Sequence, residues 1–297
     1  MLNGYLAAEG YENLVENQLA GIQERIGRLF IASGPVQTPY FAQNIWYDVE
    51  LLRFNSISEA ASLLRSKGKL WAFYPDQFVR RGQLISEKLP YFSPKPLKFS
   101  SPAPKGVLGS WTMIDANSLY ASARCSSPFA HGEVHFQENS APPSRAYLKL
   151  WEILTRINKF PKVSDTCLEV GSSPGSWTWA LQQMGAQVIS VDKAPLAPEV
   201  LSLPGVQFLK KDAFALQPVD LPKIDWIFSD VICYPEKLLE WIHKWRVVYP
   251  QIHLVCTLKF QGKPSYEVVE EFLKIPGSQI FHLFHNKHEL TWVCLGS

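Results

Sequence analysis

The chain has 297 residues, 46% of them apolar and 19% charged, with a formal charge of +2 at neutral pH. That composition excludes a wholly disordered chain, and at roughly 150 residues per domain the length points to about two domains. So small a net charge names no partner. No run of about 18 apolar residues offers a membrane-spanning helix, and Met1–Glu9 lacks the basic start of a signal peptide. The cysteines at 125, 167, 233, 256 and 294 are odd in number and form no CxxC pair. They suit buried free thiols in a reducing compartment better than a disulfide frame or a zinc site, so a cytoplasmic protein is expected.

A strand over 5–8 opens the chain. Residues 11–21 read as a helix stopped by glycine, 28–32 as a short strand, and 45–54 as an alternating one. Ser58 is placed to cap a helix over 59–65 that stops at Gly68, and 70–74 is an aromatic strand ended by Pro75. The order β-α-β-β-α-β is that of a ferredoxin-like split, so 1–105 is expected to be a smaller α+β domain. Pro90, Pro94, Pro96, Pro102 and Pro104 exclude a helix or central strand and mark a semi-rigid connector; 106–141 is read as a connecting segment. From Arg65 to Lys105 the cations Arg65, Lys67, Lys69, Arg80, Arg81, Lys88, Lys95, Lys98 and Lys105 face only Asp76 and Glu87. Such a stretch is either a solvated surface or a polyanion-binding face.

From Pro142 the pattern changes. Ser144 is placed to cap a helix reaching about 158, and apolar strands then alternate with helices: 167–170, 175–184, 188–191, 206–209, 224–228, 235–245, 252–258 and 266–274. Strands over 280–284 and 290–294 follow, joined at Asn286–Lys287. Alternation of this kind predicts a parallel sheet with helices on both faces. The closing hairpin is too short for a crossover, so the last strand is antiparallel. The fold class is therefore α/β over 142–297.

Cys167-Leu-Glu-Val-Gly-Ser-Ser-Pro-Gly-Ser-Trp177 is a buried strand, a small-residue loop and a helix start. Open sheets bind ligands beyond the carboxyl ends of such strands, and Gly171 and Gly175 let the backbone approach closely. The GxxxG spacing departs from the GxGxxG of dinucleotide sites, which disfavours an NAD oxidoreductase. Asp192, ending the next strand, matches the two hydroxyls of a ribose, and Asp212, one strand further, can accept from an adenine amino group. Glu169, Asp192 and Asp212 at successive strand ends suit a cationic, phosphate-free nucleoside, which is S-adenosylmethionine.

Asp230 ends the strand Ile224–Phe228 and Lys259 ends Val255–Leu258; Lys149 lies on the helix before the glycine loop and Glu289 opens the last strand. The topology lets Asp230, Lys259 and Glu289 share one edge. His282, His285 and His288 recur every third residue, but in a strand-turn region their side chains diverge, and no metal site is expected. Trp151, Trp177, Trp179, Trp241 and Trp245 fit a core; Tyr234 and Phe260 stand beside the expected active edge and suit base stacking.

At these positions the sequence resembles the FtsJ-like RNA ribose methyltransferases, which carry a Lys-Asp-Lys-Glu tetrad. Pro143-Ser-Arg-Ala-Tyr-Leu-Lys-Leu150 is similar to the family's PSR-x-x-LKL helix and Gly171–Trp177 to its G-x-C-P-G-G-W loop. Ser229-Asp230 is similar to its C-D, Leu258-Lys259 to its N-L-K, and His288-Glu289-Leu-Thr291 to its E-E-V-T. Ser173 and Ser176 stand where the family has cysteine and its second glycine. The likeness is strong from about residue 107 onward and closest to the branch that methylates large-subunit (23S) rRNA cytidines. It implies a Rossmann-like sheet and cofactor contacts from Gly171, Ser173, Pro174, Gly175, Ser176, Trp177, Asp192, Asp212 and Asp230. It also implies an RNA partner, with a monomer favoured, and a reduced THUMP-like part before residue 142.

The chemistry suits these residues. A ribose 2'-hydroxyl needs only a base within reach to attack a sulfonium methyl. An ordinary lysine is charged near neutrality, and a neighbouring cation or desolvation favours its neutral form. Lys259 is the expected base, Lys149 favours its neutral form and orients the ribose, Asp230 positions Lys259 beside the methyl, and Glu289 organises Lys149. The same reaction on another RNA, such as tRNA, and a catalytically silent RNA-binding protein that keeps the cofactor fold are the alternatives.

Overall fold

The computed structural model describes residues 1–93, 95–260 and 266–296. The chain divides into two compact units, Met1–Lys98 with Pro102–Phe136, and Phe99–Ser101 with Gln137–Ser297. Among the described residues no helix is long and apolar enough to cross a membrane.

The first unit contains β1 (Leu2–Ala7), α1 (Glu12–Gln18), β2 (Ile22–Ile26), β3 (Leu29–Ser33), β4 (Ala42–Tyr47) and β5 (Glu50–Arg53). After them come α2 (Ile57–Lys67), β6 (Leu70–Phe73), α3 (Val79–Ser86), β7 (Leu108–Met113), β8 (Ser118–Ser122) and β9 (Arg124–Cys125). It is α+β, but its strands fall into two sheets, β2-β3-β1-β4-β9 and β5-β8-β7-β6. The single strand expected over 45–54 is broken after Tyr47, where Asp48 takes φ +52°. β4 then runs beside β1 and β5 beside β8, so the β-α-β-β-α-β order is shared between sheets. Residues 106–141, read as a connector, supply β7 to β9 to both of them. Ser56, two residues before the expected cap, accepts from Glu59 N at 3.1 Å. Leu64, Trp111 and Met113 fill the core between α2 and the second sheet.

The second unit contains α4 (Tyr147–Arg156), β10 (Thr166–Val170), α5 (Ser176–Gln183), β11 (Gln187–Asp192), α6 (Pro198–Leu201) and β12 (Val206–Lys210). It continues through β13 (Trp226–Ser229), α7 (Pro235–Val248), β14 (His253–Leu258), α8 (Glu267–Leu273), β15 (Ser278–Phe281) and β16 (Leu290–Cys294). One sheet runs β12-β11-β10-β13-β14-β16-β15. The first five strands are parallel, and β16 lies antiparallel between β14 and β15. The nearly continuous burial of β10, β13 and β14 is what a parallel sheet covered on both faces requires. The strand order puts the ends of β10 to β14 and the start of β16 on one edge. Trp151, Trp177, Trp179, Trp241 and Trp245 are all buried.

Candidate active site

The β14–β16 register pairs Leu258 with Leu290, so Lys259 and Glu289, one residue beyond each, flank the same point of the rim. Asp230 follows β13 beside them, and α4 brings Lys149. Lys149 Nζ lies 3.3 Å from both carboxylate oxygens of Asp230 and 3.2 Å from Glu289 Oε1. Lys259 Nζ lies 3.0 Å from Asp230 Oδ1 and also donates to the Asp230 carbonyl oxygen. The four side chains are 14% to 22% exposed, so water weakens their attraction less than at an open surface. Their formal charges sum to zero. Among the described residues both contacts of the Lys259 amine are to Asp230, an ion pair with its side chain and a hydrogen bond to its carbonyl oxygen.

The glycine loop is held from below. Gly171 has φ +77°, and a Cβ there would stand 2.7 Å from Val231 Cα, so the missing side chain serves chain packing. A Cβ on Gly175 (φ +114°) would stand 2.9 Å from Val200 Cγ1. Asp192 Oδ2 accepts from Ser173 N and its Oδ1 from Ala194 N, each at 2.9 Å. Each oxygen keeps a lone pair for a ligand diol. A cavity of about 370 Å³ opens beside the loop, lined in part by Gly171, Asp192, Asp212, Phe214, Val231 and Tyr234. Tyr234 is exposed, whereas Phe260 packs on Tyr266 at 4.8 Å.

Other expected cofactor residues face elsewhere. Trp177 is buried and its Nε1 donates to Ala146 O at 2.8 Å, and Ser176 Oγ lies 2.7 Å from Ser144 Oγ; both tie α5 to the start of α4. Ser173 Oγ donates to Pro195 O, and Pro174 follows a cis bond. Ser144 does not cap α4, whose N-cap is Ala146. Glu169 is not a rim acid. It is buried, accepts from Thr178 Oγ1, and burial pushes its carboxyl up to about 8. It sits one residue before the end of β10, and side-chain alternation turns it toward α5.

Lys193 escaped the sequence reading. It lies 2.8 Å from Asp212 Oδ2, and its hydrogen bond holds that carboxyl below the usual range; a cation directly after Asp192 was the available signal. The three histidines do diverge: His282 meets Lys287 O, His285 meets Glu152, and His288 is exposed.

The sequence pattern of FtsJ-like methyltransferases matches residues 142–290, half of the chain and all four members of the cluster. The chain belongs to the FtsJ-like methyltransferase family. The family is of the S-adenosylmethionine-dependent type, and the residues of this FtsJ-like chain fit that cofactor. Asp192 offers free lone pairs to a ribose, and the buried hydroxyls of Ser172, inside the loop, and Ser229, next to Asp230, have no partner among the described residues.

The ribosomal RNA large subunit methyltransferase M of Halorhodospira halophila is 31% identical over 157 residues, covering 50% of this chain and 46% of the relative. The protein of that name from a Marinomonas species is 30% identical over 203 residues, covering 62% and 57%. The FtsJ-like chain thus spans about half the length of the curated relatives it matches. The Methanococcus jannaschii fibrillarin pre-rRNA processing protein overlays with a TM-score of 0.38 at 17% identity, covering 62% of this chain and 81% of that one.

Proposed function

We propose that this chain transfers a methyl group from S-adenosylmethionine to a ribose 2'-hydroxyl of RNA, the substrate being a cytidine of 23S rRNA. The observation that carries the reading is the meeting of Lys149 and Lys259, 110 positions apart by their numbers, on Asp230 beside the glycine loop. The names of the curated relatives support the choice of RNA.

When bound, the cofactor supplies a methyl group on a positively charged sulfur that leaves as a neutral thioether. Lys259 accepts the hydroxyl proton as the oxygen attacks. Lys149 meets two carboxylates, whereas the Lys259 amine meets the side chain of one. Lys149 orients the ribose from the far side of Asp230, and Glu289 fixes Lys149. Asp192 would hold the cofactor ribose and Asp212, whose oxygens meet Phe214 N and Lys193, its base.

The first unit, residues 1–98 with 102–136, is proposed to grip the RNA. Lys69, Arg80, Lys88, Lys95, Lys98 and Lys105 are exposed there, while Lys67 is paired with Glu50 at 2.7 Å. A cytoplasmic monomer completes the reading.

The test is transfer of tritiated methyl from S-adenosylmethionine to total RNA from cells lacking the gene, followed by ribose-methylation mapping. One new 2'-O-methylcytidine in 23S rRNA is expected. Label confined to tRNA overturns the substrate, and binding of S-adenosylhomocysteine without transfer to any RNA overturns the activity.

A further inference from the structure

Glu152 lies on α4 one turn beyond Lys149 and is fully buried. A carboxylate is costly to bury unless its oxygens are satisfied, and these are. Oε1 accepts from Phe284 N at 2.9 Å, Oε2 accepts from His285 N at 3.0 Å, and His285 Nδ1 lies 2.7 Å from Oε2. Arg156 Nε stands 3.7 Å from Oε1. Phe284 and His285 belong to the 282–289 connection between β15 and β16, which ends at Glu289. Asn286 Nδ2 donates to Glu289 O at 3.1 Å and to Thr291 Oγ1 at 3.2 Å, which ties the middle of the connection to its end. Helix and connection are thus joined twice, at Glu152 in the interior and at Lys149–Glu289 on the rim.

We propose that Glu152 is a positioning residue: it clamps the 282–289 connection to α4 so that Glu289 meets Lys149, and thereby sets where the Lys149 ammonium stands against Asp230. Charge-assisted bonds to two successive backbone N–H groups fix the chain more firmly than a neutral acceptor would. The inference rests on the methyl-transfer reading, because only there does the placement of Lys149 matter to a reaction.

Glu152→Gln keeps one acceptor oxygen but turns an amide N–H₂ toward a backbone N–H. Single-turnover transfer to rRNA is expected to fall roughly 10- to 100-fold, the scale on which small misplacements act, with affinity for S-adenosylhomocysteine unchanged. The Glu152→Gln/Glu289→Gln double variant should be within about twofold of Glu289→Gln alone, because both break one link. Independent, multiplying losses overturn the inference. If the wild type transfers methyl to no RNA, the reading fails on its own, and the clamp is read by NMR of ¹³C-labelled lysine. There the Lys149 Cε signal, assigned by its loss in Lys149→Arg, should move the same way in Glu152→Gln and Glu289→Gln; a signal unmoved by Glu152→Gln overturns the clamp. Should Glu152→Gln not fold, His285→Ala removes one leg and keeps both backbone bonds. It should cost about threefold in rate, the scale of one hydrogen bond, with the same non-additivity and the same signal shift; an unchanged rate and signal overturn it.

Discussion

The two edges of the second unit's sheet carry the same residue types and use them in opposite ways. At the amino edge, Asp165 Oδ2 accepts from Lys162 N at 2.9 Å and Trp226 Nε1 at 3.0 Å, and Asp225 Oδ2 accepts from Thr166 N at 3.0 Å. These acids finish strand starts. At the carboxyl edge Asp230 faces the amines of two lysines, and Asp192 keeps lone pairs on both oxygens after bonding two loop amides. Asp165 and Asp225 close the backbone at strand starts, with Lys223 standing 3.3 Å from Asp225 Oδ1, whereas Asp230 is shared by two lysines that come from different elements, an arrangement suited to moving a proton.

Variants at the two edges should therefore separate rate from stability. The largest effect is expected for Lys259→Ala, with methyl transfer down about 10²- to 10⁴-fold, the usual worth of a general base, and an unfolding midpoint close to wild type. Asp230→Asn takes the shared counter-charge from both lysines; a loss of about 10²-fold, the scale of a misplaced reacting group, is expected in single-turnover transfer.

Glu169 sits between the edges and gives a pH signature. Its carboxyl is pushed up to about 8 from an ordinary 4.5, so between these values the folded chain holds a proton that the unfolded chain has released. Stability from this group is therefore present at low pH and is lost as pH rises through that window. Denaturant unfolding should show wild type losing roughly 2 kcal/mol or more from pH 5 to pH 9 relative to Glu169→Gln. Parallel pH profiles would contradict the burial argument.

Asp192→Ala should weaken S-adenosylhomocysteine binding about 10- to 30-fold by calorimetry, the scale of a hydrogen bond to a charged group. Asp225→Ala, at the opposite edge, should cost about 1 kcal/mol of stability and leave transfer and cofactor affinity unchanged. A rate loss there would erase the contrast between the edges.

The second unit was legible because its signals are local. A buried strand, a glycine loop and a helix repeat in order, and the strand-end charges Asp230, Lys259 and Glu289 fall on the edge that the connectivity dictates; Lys149, on a helix, joined them only through the resemblance of residues 143–150 to the family's helix. Glu169 was misread because one position along a strand reverses the face. In the first unit a single left-handed residue, Asp48, splits one predicted strand between two sheets, and strand pairing over long separations leaves no mark in local composition. Glu152 carried a signal that went unread, an acid set among Trp151, Ile153 and Leu154.

The most direct measurement is single-turnover methyl transfer by Lys259→Ala, run beside calorimetry with S-adenosylhomocysteine. The account predicts a rate reduced by at least about 10²-fold with cofactor affinity intact. Transfer near the wild-type rate would contradict it.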